Sequence, residues 1–304
     1  MVHSMPTSVG VTVCETVSRA APAALRPHTI GYGGFRSTGG RALPHRLLPI
    51  SVAALVVDLA SETAIVTGPR ASSGTDGQTS WGYGVTVGLT PAGVVALLGV
   101  PMREITGRSL LLSEVLSGGV RATGGGGIRG GGGLRGGGGG IRGIAAELPE
   151  RIAGAVGWAA RFRVLDELLS RQLGFRRAGP AAGGCGGYAF GVPAADPVMA
   201  AWGRLQLAGG RLRVGELAAQ LGVGRRGLER EFRATFGLSP GAVGRIARFQ
   251  RSLGLLVEGR GLADVAAHGG YADQSHFTRE TRAMAGMTPG ELRAFVQYRS
   301  AART

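Results

Sequence analysis

The sequence predicts an α+β fold: a β-rich N-terminal domain, then an all-α C-terminal domain with two helix-turn-helix motifs joined by a linker helix. Three observations predict it. Residues 28–89 set short apolar runs between Gly, Pro, Ser and Asp punctuation, which is the texture of strands and turns. Beyond Asp196 the pattern changes to short amphipathic helices. That second region also repeats itself: "GLSPG" at 237–241 recurs as "GMTPG" at 286–290, an offset of 49.

Residues 1–25 are small and irregular, and no element is expected there. The N-terminal domain then spans 26–173, with strands at "HTIGYGGF", "LLPISVAALVVDL", "TAIVT" and "YGVTVGL". Thr90-Pro91 offers an N-cap with proline at the first helical position, opening a helix through Leu98. A second helix is expected across "SLLLSEVL", 109–116. An insert follows at 121–143, whose core "GGGGIRGGGGLRGGGGGIRG" is of low complexity. Such a tract buries too little apolar surface to order itself, so a linker or loop insertion is the preferred reading. A nucleic-acid contact through Arg129, Arg135 and Arg142 is the alternative. A phosphate-cradling loop is disfavoured, because the Lys-Ser/Thr ending is missing. Residues 147–173 place Ile152, Val156, Trp158, Phe162, Leu165, Leu168 and Leu169 near helical spacing, for packing or a dimer-facing bundle. The Gly/Ala/Pro-rich stretch 174–195 reads as the linker, and its Cys185 as an incidental thiol. The C-terminal domain is 196–304.

Charge and cysteine usage narrow the function. Net charge is +15, and all 34 basic residues are arginine. Residues 204–304 alone hold 16 arginines against 8 acids. A basic surface draws polyanions, nucleic acid above all. Cys14 and Cys185 have neither metal-ligand spacing nor a disulfide framework, which fits a reduced, cytoplasmic compartment. The longest apolar runs are too short for a bilayer, and the start lacks the pattern of a signal peptide, so no membrane partner is expected. His3, His28, His45 and the two cysteines form no ligand cluster, and no nucleophile–base pair is visible. No metal, cofactor or catalytic residue is therefore expected. An enzyme or DNA-repair fusion, and a Gly-Arg RNA-associated protein, stand as alternatives.

Each copy of the repeat has one grammar. "ELAAQLGV" (216–223) aligns with "DVAAHGGY" (264–271) at offset 48, and "EREFRATFG" (229–237) with "TRETRAMAG" (278–286) at offset 49. The second copy therefore carries one extra residue in its turn. In the first, a helix bearing Leu217, Ala218 and Leu221 ends in a glycine turn at 222–224. A second helix over 225–236 sets Leu228, Phe232 and Phe236 on one face and arginines on the other. Gly237 suits the C′ position, and Ser239-Pro240 restart a helix. Helix, tight turn and basic second helix form the helix-turn-helix pattern.

From about 200 to 298 the chain resembles the DNA-binding domain of the AraC/XylS family of bacterial transcription regulators. "ELAAQLGV", "FGLSPGAV", "LADVAAHGGYADQSHFTRETR" and "GMTPGELR" carry the likeness in order and spacing. "PGAVGRIARFQRSLGLLVEG" (240–259) stands where the family has a long linker helix, with Val243, Ile246, Phe249, Leu253 and Leu256 on one stripe. About 18 helical residues span about 27 Å, a suitable brace for two helices in major-groove segments about 34 Å apart. "HTIGYGGFRSTGG", "YGVTVGLTPAGVVALLGVPMREITGRSLLL" and "GWAARFRVLDELL" resemble the leading halves of some such regulators, which implies a regulatory or sensing role there.

The resemblance places base-reading side chains near the start of each second helix. In the first unit these are Arg226, Glu229 and Arg230: arginine suits guanine, and Glu229 either accepts from cytosine or pairs with a neighbouring arginine. In the second they are Gln274, Ser275 and Thr278, with Arg279 ranked lower. Arg225, Arg233, Arg245 and Arg282 are phosphate candidates, which position without specifying. Asp273 is the expected N-cap, and His276 is expected to pack or touch backbone. Thr281, Ala285 and Gly269 stand where the family has larger apolar residues, so a thinner core and looser binding are expected in the second unit. The implied partner is double-stranded DNA. A small-molecule effector, a homodimer and, for an activator, RNA polymerase are further candidates.

Overall fold

The computed structural model describes residues 2–7, 14–75, 79–118, 140–174 and 196–294. The linker reading of 174–195 and most of the Gly-Arg insert fall outside them. Among the described residues the N-terminal half contains nine strands: β1 (Ser4–Pro6), β2 (Cys14–Ala20), β3 (Thr29–Ser37), β4 (Leu43–Leu47), β5 (Ala53–Asp58), β6 (Thr63–Thr67), β7 (Ser80–Trp81), β8 (Tyr83–Leu89) and β9 (Ser109–Leu111). They form a six-stranded sheet in the order β2-β3-β8-β5-β6-β9 and a three-stranded sheet β1-β4-β7, with antiparallel pairing throughout. β5 sits inside the larger sheet with all six residues buried. Alternation divides its side chains. Val56 joins Phe35, Leu47 and Trp81 in the small core between the sheets, whereas Leu55 and Val57 belong to the large core on the opposite face.

Helices cover that opposite face. α1 (Pro91–Leu98) starts as expected, with Thr90 Oγ1 accepting from the Gly93 N–H at 3.0 Å. After α2 (Met102–Ile105), residues 109–116 depart from the single helix expected of them. Ser109–Leu111 is β9, adding an edge to β6 in the register Ile65↔Leu111, and only Leu112–Leu116 is helical, as α3. The unpaired edge of β6 supplies hydrogen-bond partners that local periodicity does not reveal. The helical stretch over 147–173 is two helices, α4 (Gly140–Ala153) and α5 (Gly157–Gln172), the break falling before Gly157 at φ 78°. Arg151–Glu167 (3.3 Å) and Arg171–Glu147 (2.6 Å) tie them together. Phe162, Leu165, Leu168 and Leu169 of α5 are buried in the large core of the same chain.

The irregular start expected at 1–25 is a correction. β1 pairs with β4 and β2 with β3, joined by a 3₁₀ turn at Ala23–Leu25. Met5 is buried with Phe249, Phe277 and Met284 of the C-terminal half. Three residues ending in proline show no readable alternation, so only the distant partners reveal this strand. His3, beside it, donates to or accepts from Thr67 Oγ1 at 2.7 Å and stacks near Trp81. Burial, with Arg70 and His45 nearby, pushes its imidazole down to about 3. The unfolded group takes a proton below about pH 6.5, so the folded state binds fewer protons. This contribution to stability is complete above about pH 6.5 and is lost as pH falls. At about pH 5 the loss is about 2 kcal/mol. His3→Gln is expected to lose less stability than the parent between about pH 7 and 5 in urea titrations; equal losses would refute this role of His3.

The C-terminal half is helical: α6 (Pro197–Leu207), α7 (Val214–Gln220), α8 (Arg225–Phe236), α9 (Pro240–Val257), α10 (Leu262–Gly269) and α11 (Gln274–Ala285), with residues 289–294 again helical. The large core runs from the six-stranded sheet through Trp202 and Leu205 into Leu217, Phe232 and Phe236. The second helix pair has its own core with the stripe of α9. Among the described residues no helix is long and apolar enough to cross a membrane, and no group of three His, Cys, Asp or Glu could hold a metal.

Candidate nucleic-acid interface

The repeat in sequence is also a repeat in space. α7 and α8 form one helix–turn–helix pair, α10 and α11 the other, and α8 and α11 are each 12 residues long. Both end on a left-handed glycine, Gly237 at φ 70° and Gly286 at φ 69°. Any side chain there would be strained, so glycine terminates both helices at one register. Ser239 Oγ then accepts from the Ala242 N–H at 3.2 Å to open α9. At the matching position, Thr288 and Glu291 bond each other's backbone N–H at 2.6 and 3.2 Å, a capping box. The extra residue in the second turn has a use. Asp273 accepts from the His276 N–H at 2.6 Å, whereas Gly224 at the start of α8 offers no side-chain cap.

Burial sorts each reading helix into two faces. Leu228, Phe232 and Phe236 of α8 point inward, with the last two rings 4.9 Å apart. Arg225, Arg226, Arg230 and Arg233 are exposed on the same helix. Arg226 and Arg233 form no ion pair among the described residues, while Arg225 meets Glu229 at 3.1 Å and Arg230 meets Glu231 at 3.4 Å. Glu229 is therefore held by its intrahelical arginine. On α11, Gln274, Ser275, Arg279 and Arg282 are exposed, and half-buried Thr278 donates to the Gln274 carbonyl at 2.9 Å. Arg245 differs from its neighbours. It reaches from α9 to Glu280 of α11 at 2.9 Å, and only 15% of the Glu280 side chain is exposed. The pair fixes the second reading helix to the linker helix. His276 packs edge-on to Tyr271 and accepts from the Ala272 N–H at 3.3 Å.

The second unit closes its core differently from the expectation of a thin one. Gly269 lets α10 approach α9 closely: a Cβ there would stand 2.6 Å from Ser252 Oγ and 3.0 Å from the Tyr271 ring. Tyr271 fills the space, tilted against Phe277 at 4.9 Å, and burial pushes its phenol up to about 12. Thr281 is the weak point, fully buried with a hydroxyl that has no hydrogen-bond partner among the described residues. A buried unpaired hydroxyl costs about 1–3 kcal/mol. Thr281→Val is expected to stabilise the protein by about 1 kcal/mol and raise its melting temperature; a lowered one would refute this account.

Two features have no counterpart in the sequence reading. The first is the contact between the halves. The last carbonyls of a helix lack intrahelical partners. On α8 they receive Arg103 Nη1 (Ala234 carbonyl, 3.0 Å) and Thr106 Oγ1 (Phe236 carbonyl, 2.7 Å). On α11 they receive Arg46 Nη1 (Ala285 carbonyl, 3.2 Å) and the Ser73 N–H (Met284 carbonyl, 2.6 Å). The N-terminal half thus grips both reading helices at the same end. Gln250 of α9 adds bonds to the backbone of Val2 and Pro49. The second feature is a cleft of about 830 Å³ beside the starts of α7, α8 and α9, rich in arginine. The run Gly209-Gly210-Arg211-Leu212-Arg213 was its available signal.

Fold and interface together define a β-rich half joined to a helix-turn-helix domain. Residues 217–294 match the family model described as a helix-turn-helix domain, and the chain carries there a domain of the AraC type. That is a class of DNA-binding transcription regulators, generally not enzymes. No curated protein matches the chain. Among solved structures, it is similar to ToxT from Vibrio cholerae O395 at 13% identity, covering 94% of this chain and 97% of that one, with a TM-score of 0.38. A 1.65 Å structure of Vibrio cholerae ToxT gives 13%, 96%, 97% and 0.39. The unsaturated fatty acid-bound ToxT of strain SCE256 gives 12%, 94%, 95% and 0.36.

Proposed function

We propose that this chain is a sequence-specific transcription regulator that reads two successive major-groove segments, one with α8 and one with α11. The observation that carries the reading is the pair of 12-residue helices ending on left-handed glycines 49 residues apart. Each turns unpaired polar side chains outward near its start. The 18-residue α9 between them spans about 27 Å, close to one helical turn of DNA. Arg226 is suited to guanine and Gln274 to adenine. Ser275, Thr278, Arg230 and Glu229 surround them, Glu229 after release from Arg225. Arg233, Arg279 and Arg282 would meet phosphates, Arg225 only once Glu229 lets it go, and Arg245 braces α11. One chain presents both units, so two half-sites need no dimer.

Modulation through the N-terminal half is part of the proposal, supported by its grip on the ends of α8 and α11. An effector that shifts the strands bearing Arg46 or the segment bearing Thr106 would change the angle between the two readers. RNA polymerase would be a partner for an activator.

Selection of bound fragments from random DNA tests the reading. Arg226→Ala is expected to relax preference at one base position, and Gln274→Ala at another about one turn away, each costing about 1–3 kcal/mol at a good contact. A selected motif identical to the parent's in both variants would sink the proposal. Deleting residues 124–143 is expected to leave that motif and affinity little changed; lost binding would favour a Gly-Arg nucleic-acid contact instead.

A further inference from the structure

We infer that the arginine-rich cleft is a seat for the sugar–phosphate backbone that runs between the two major-groove segments. The inference rests on the DNA-reading proposal and adds a binding surface to it. The cleft lies where the two units meet: the starts of α8 and α9 line one part, and Gly270, in the turn before α11, lines another. Arg211, Arg213, Arg225, Arg245 and Arg248 all line it, against the single carboxylate of Glu216.

The charges are not equally available. Arg225 and Arg245 are neutralised by Glu229 and Glu280. Arg211 is anchored on the His268 carbonyl at 2.8 Å and Arg248 on the Gly210 carbonyl at 3.1 Å. Those carbonyl contacts orient both guanidiniums without cancelling their charge. The Arg248 Nε is buried with no hydrogen-bond partner among the described residues. Arg213 is exposed and forms no ion pair among the described residues. Three of the five arginines thus form no ion pair among the described residues, and against the carboxylate of Glu216 the cleft keeps a positive excess.

The lining chooses the occupant. A volume of about 830 Å³ is more than one small anion needs and falls within the range of small-molecule sites, so the lining decides. Apart from Glu216 the lining is glycine, arginine, proline, leucine and valine, with no aromatic ring. Nothing there would stack on a base, so a free nucleotide is poorly matched. A phosphodiester chain needs only cations and close approach of small residues, and both are present. Gly210, Gly241, Gly244 and Gly270 keep the walls low.

Arg213→Ala is the discriminating variant, because that side chain holds no other element in place. Its affinity for the selected DNA is expected to fall alike for all sequences, with the motif unchanged. The salt slope should drop by about 0.9, so raising salt from about 50 to about 200 mM costs about 3.5-fold less affinity than in the parent. Ethylation of phosphates midway between the half-sites is expected to block the parent, and at one of them to have no further effect on the variant. Arg213→Lys is expected to restore the slope. An unchanged slope with no midway interference would overturn the inference while leaving the Arg226 result, and with it the DNA-reading proposal, intact. Pyrophosphate or ATP at micromolar concentration raising the parent's melting temperature, but not the variant's, would also overturn it in favour of a small-anion site.

Discussion

Phe249→Ala is expected to cost the C-terminal half about 3–5 kcal/mol and to abolish specific DNA binding. The ring lies in the middle of α9, 1% exposed. It packs in one cluster with Ile246, Leu253 and Leu256 of its own helix, Val265 and Ala266 of α10, and Phe277 and Met284 of α11. Removing a buried phenylalanine loses its transfer free energy and leaves a cavity, which sets that magnitude. A typical domain has only about 5–15 kcal/mol in hand, so one truncation takes a large share of it. The functional loss follows from position. α9 carries Arg245, which pairs with Glu280 of α11, and Phe249 itself packs in the cluster that holds Phe277 and Met284 of that reader. Urea unfolding and binding to the selected DNA measure the two effects; a loss below about 1 kcal/mol would mean the cluster is not the keystone of this half.

Trp202→Ala is expected to cost a similar amount, about 3–5 kcal/mol, but to separate the halves rather than collapse one. Trp202 is fully buried in α6, with its indole N–H directed to the Ser51 carbonyl at 3.4 Å. One turn along the same helix, Gln206 bonds the Ser51 hydroxyl. This ring stands where the large core passes from the sheet into the first helix pair. Cutting that bridge is expected to split one unfolding transition into two and to change DNA affinity, although Trp202 touches no DNA. Trp202→Phe, which keeps most of the apolar area, should retain a single transition. If Trp202→Ala left a single transition and unchanged DNA affinity, the N-terminal half would not steer the readers.

Both variants bear on what was readable from residues alone. The helical domain was largely legible, because its signals are local. Gly237, Ser239-Pro240, Asp273 and the stripe Val243–Ile246–Phe249–Leu253–Leu256 act within a few residues of themselves, and each does in the structure what its type and spacing imply. Within 28–89, β3, β5, β6 and β8 were legible for the same reason, whereas β4 and β7 were not. β1, β9 and the break before α5 were not. β1 and β9 are short elements stabilised by strand partners, Leu47 for Ser4 and Ile65 for Leu111, that lie tens of residues away.

The site divides along the same line. Arg226 and Gln274 near the starts of α8 and α11 are what the family resemblance implies, and both side chains are exposed. That Arg245 spends its charge on Glu280 does not, because the partner is 35 residues distant on another helix. The sequence by itself determined two tandem helix pairs, the brace between them and the basic faces, since capping and amphipathic period are local properties of the chain. Only the tertiary structure decided that Arg46, Ser73, Arg103 and Thr106 close the ends of both readers, and that Arg211, Arg213 and Arg248 share one cleft. Those contacts join residues with no common period, so only the packed chain brings them together.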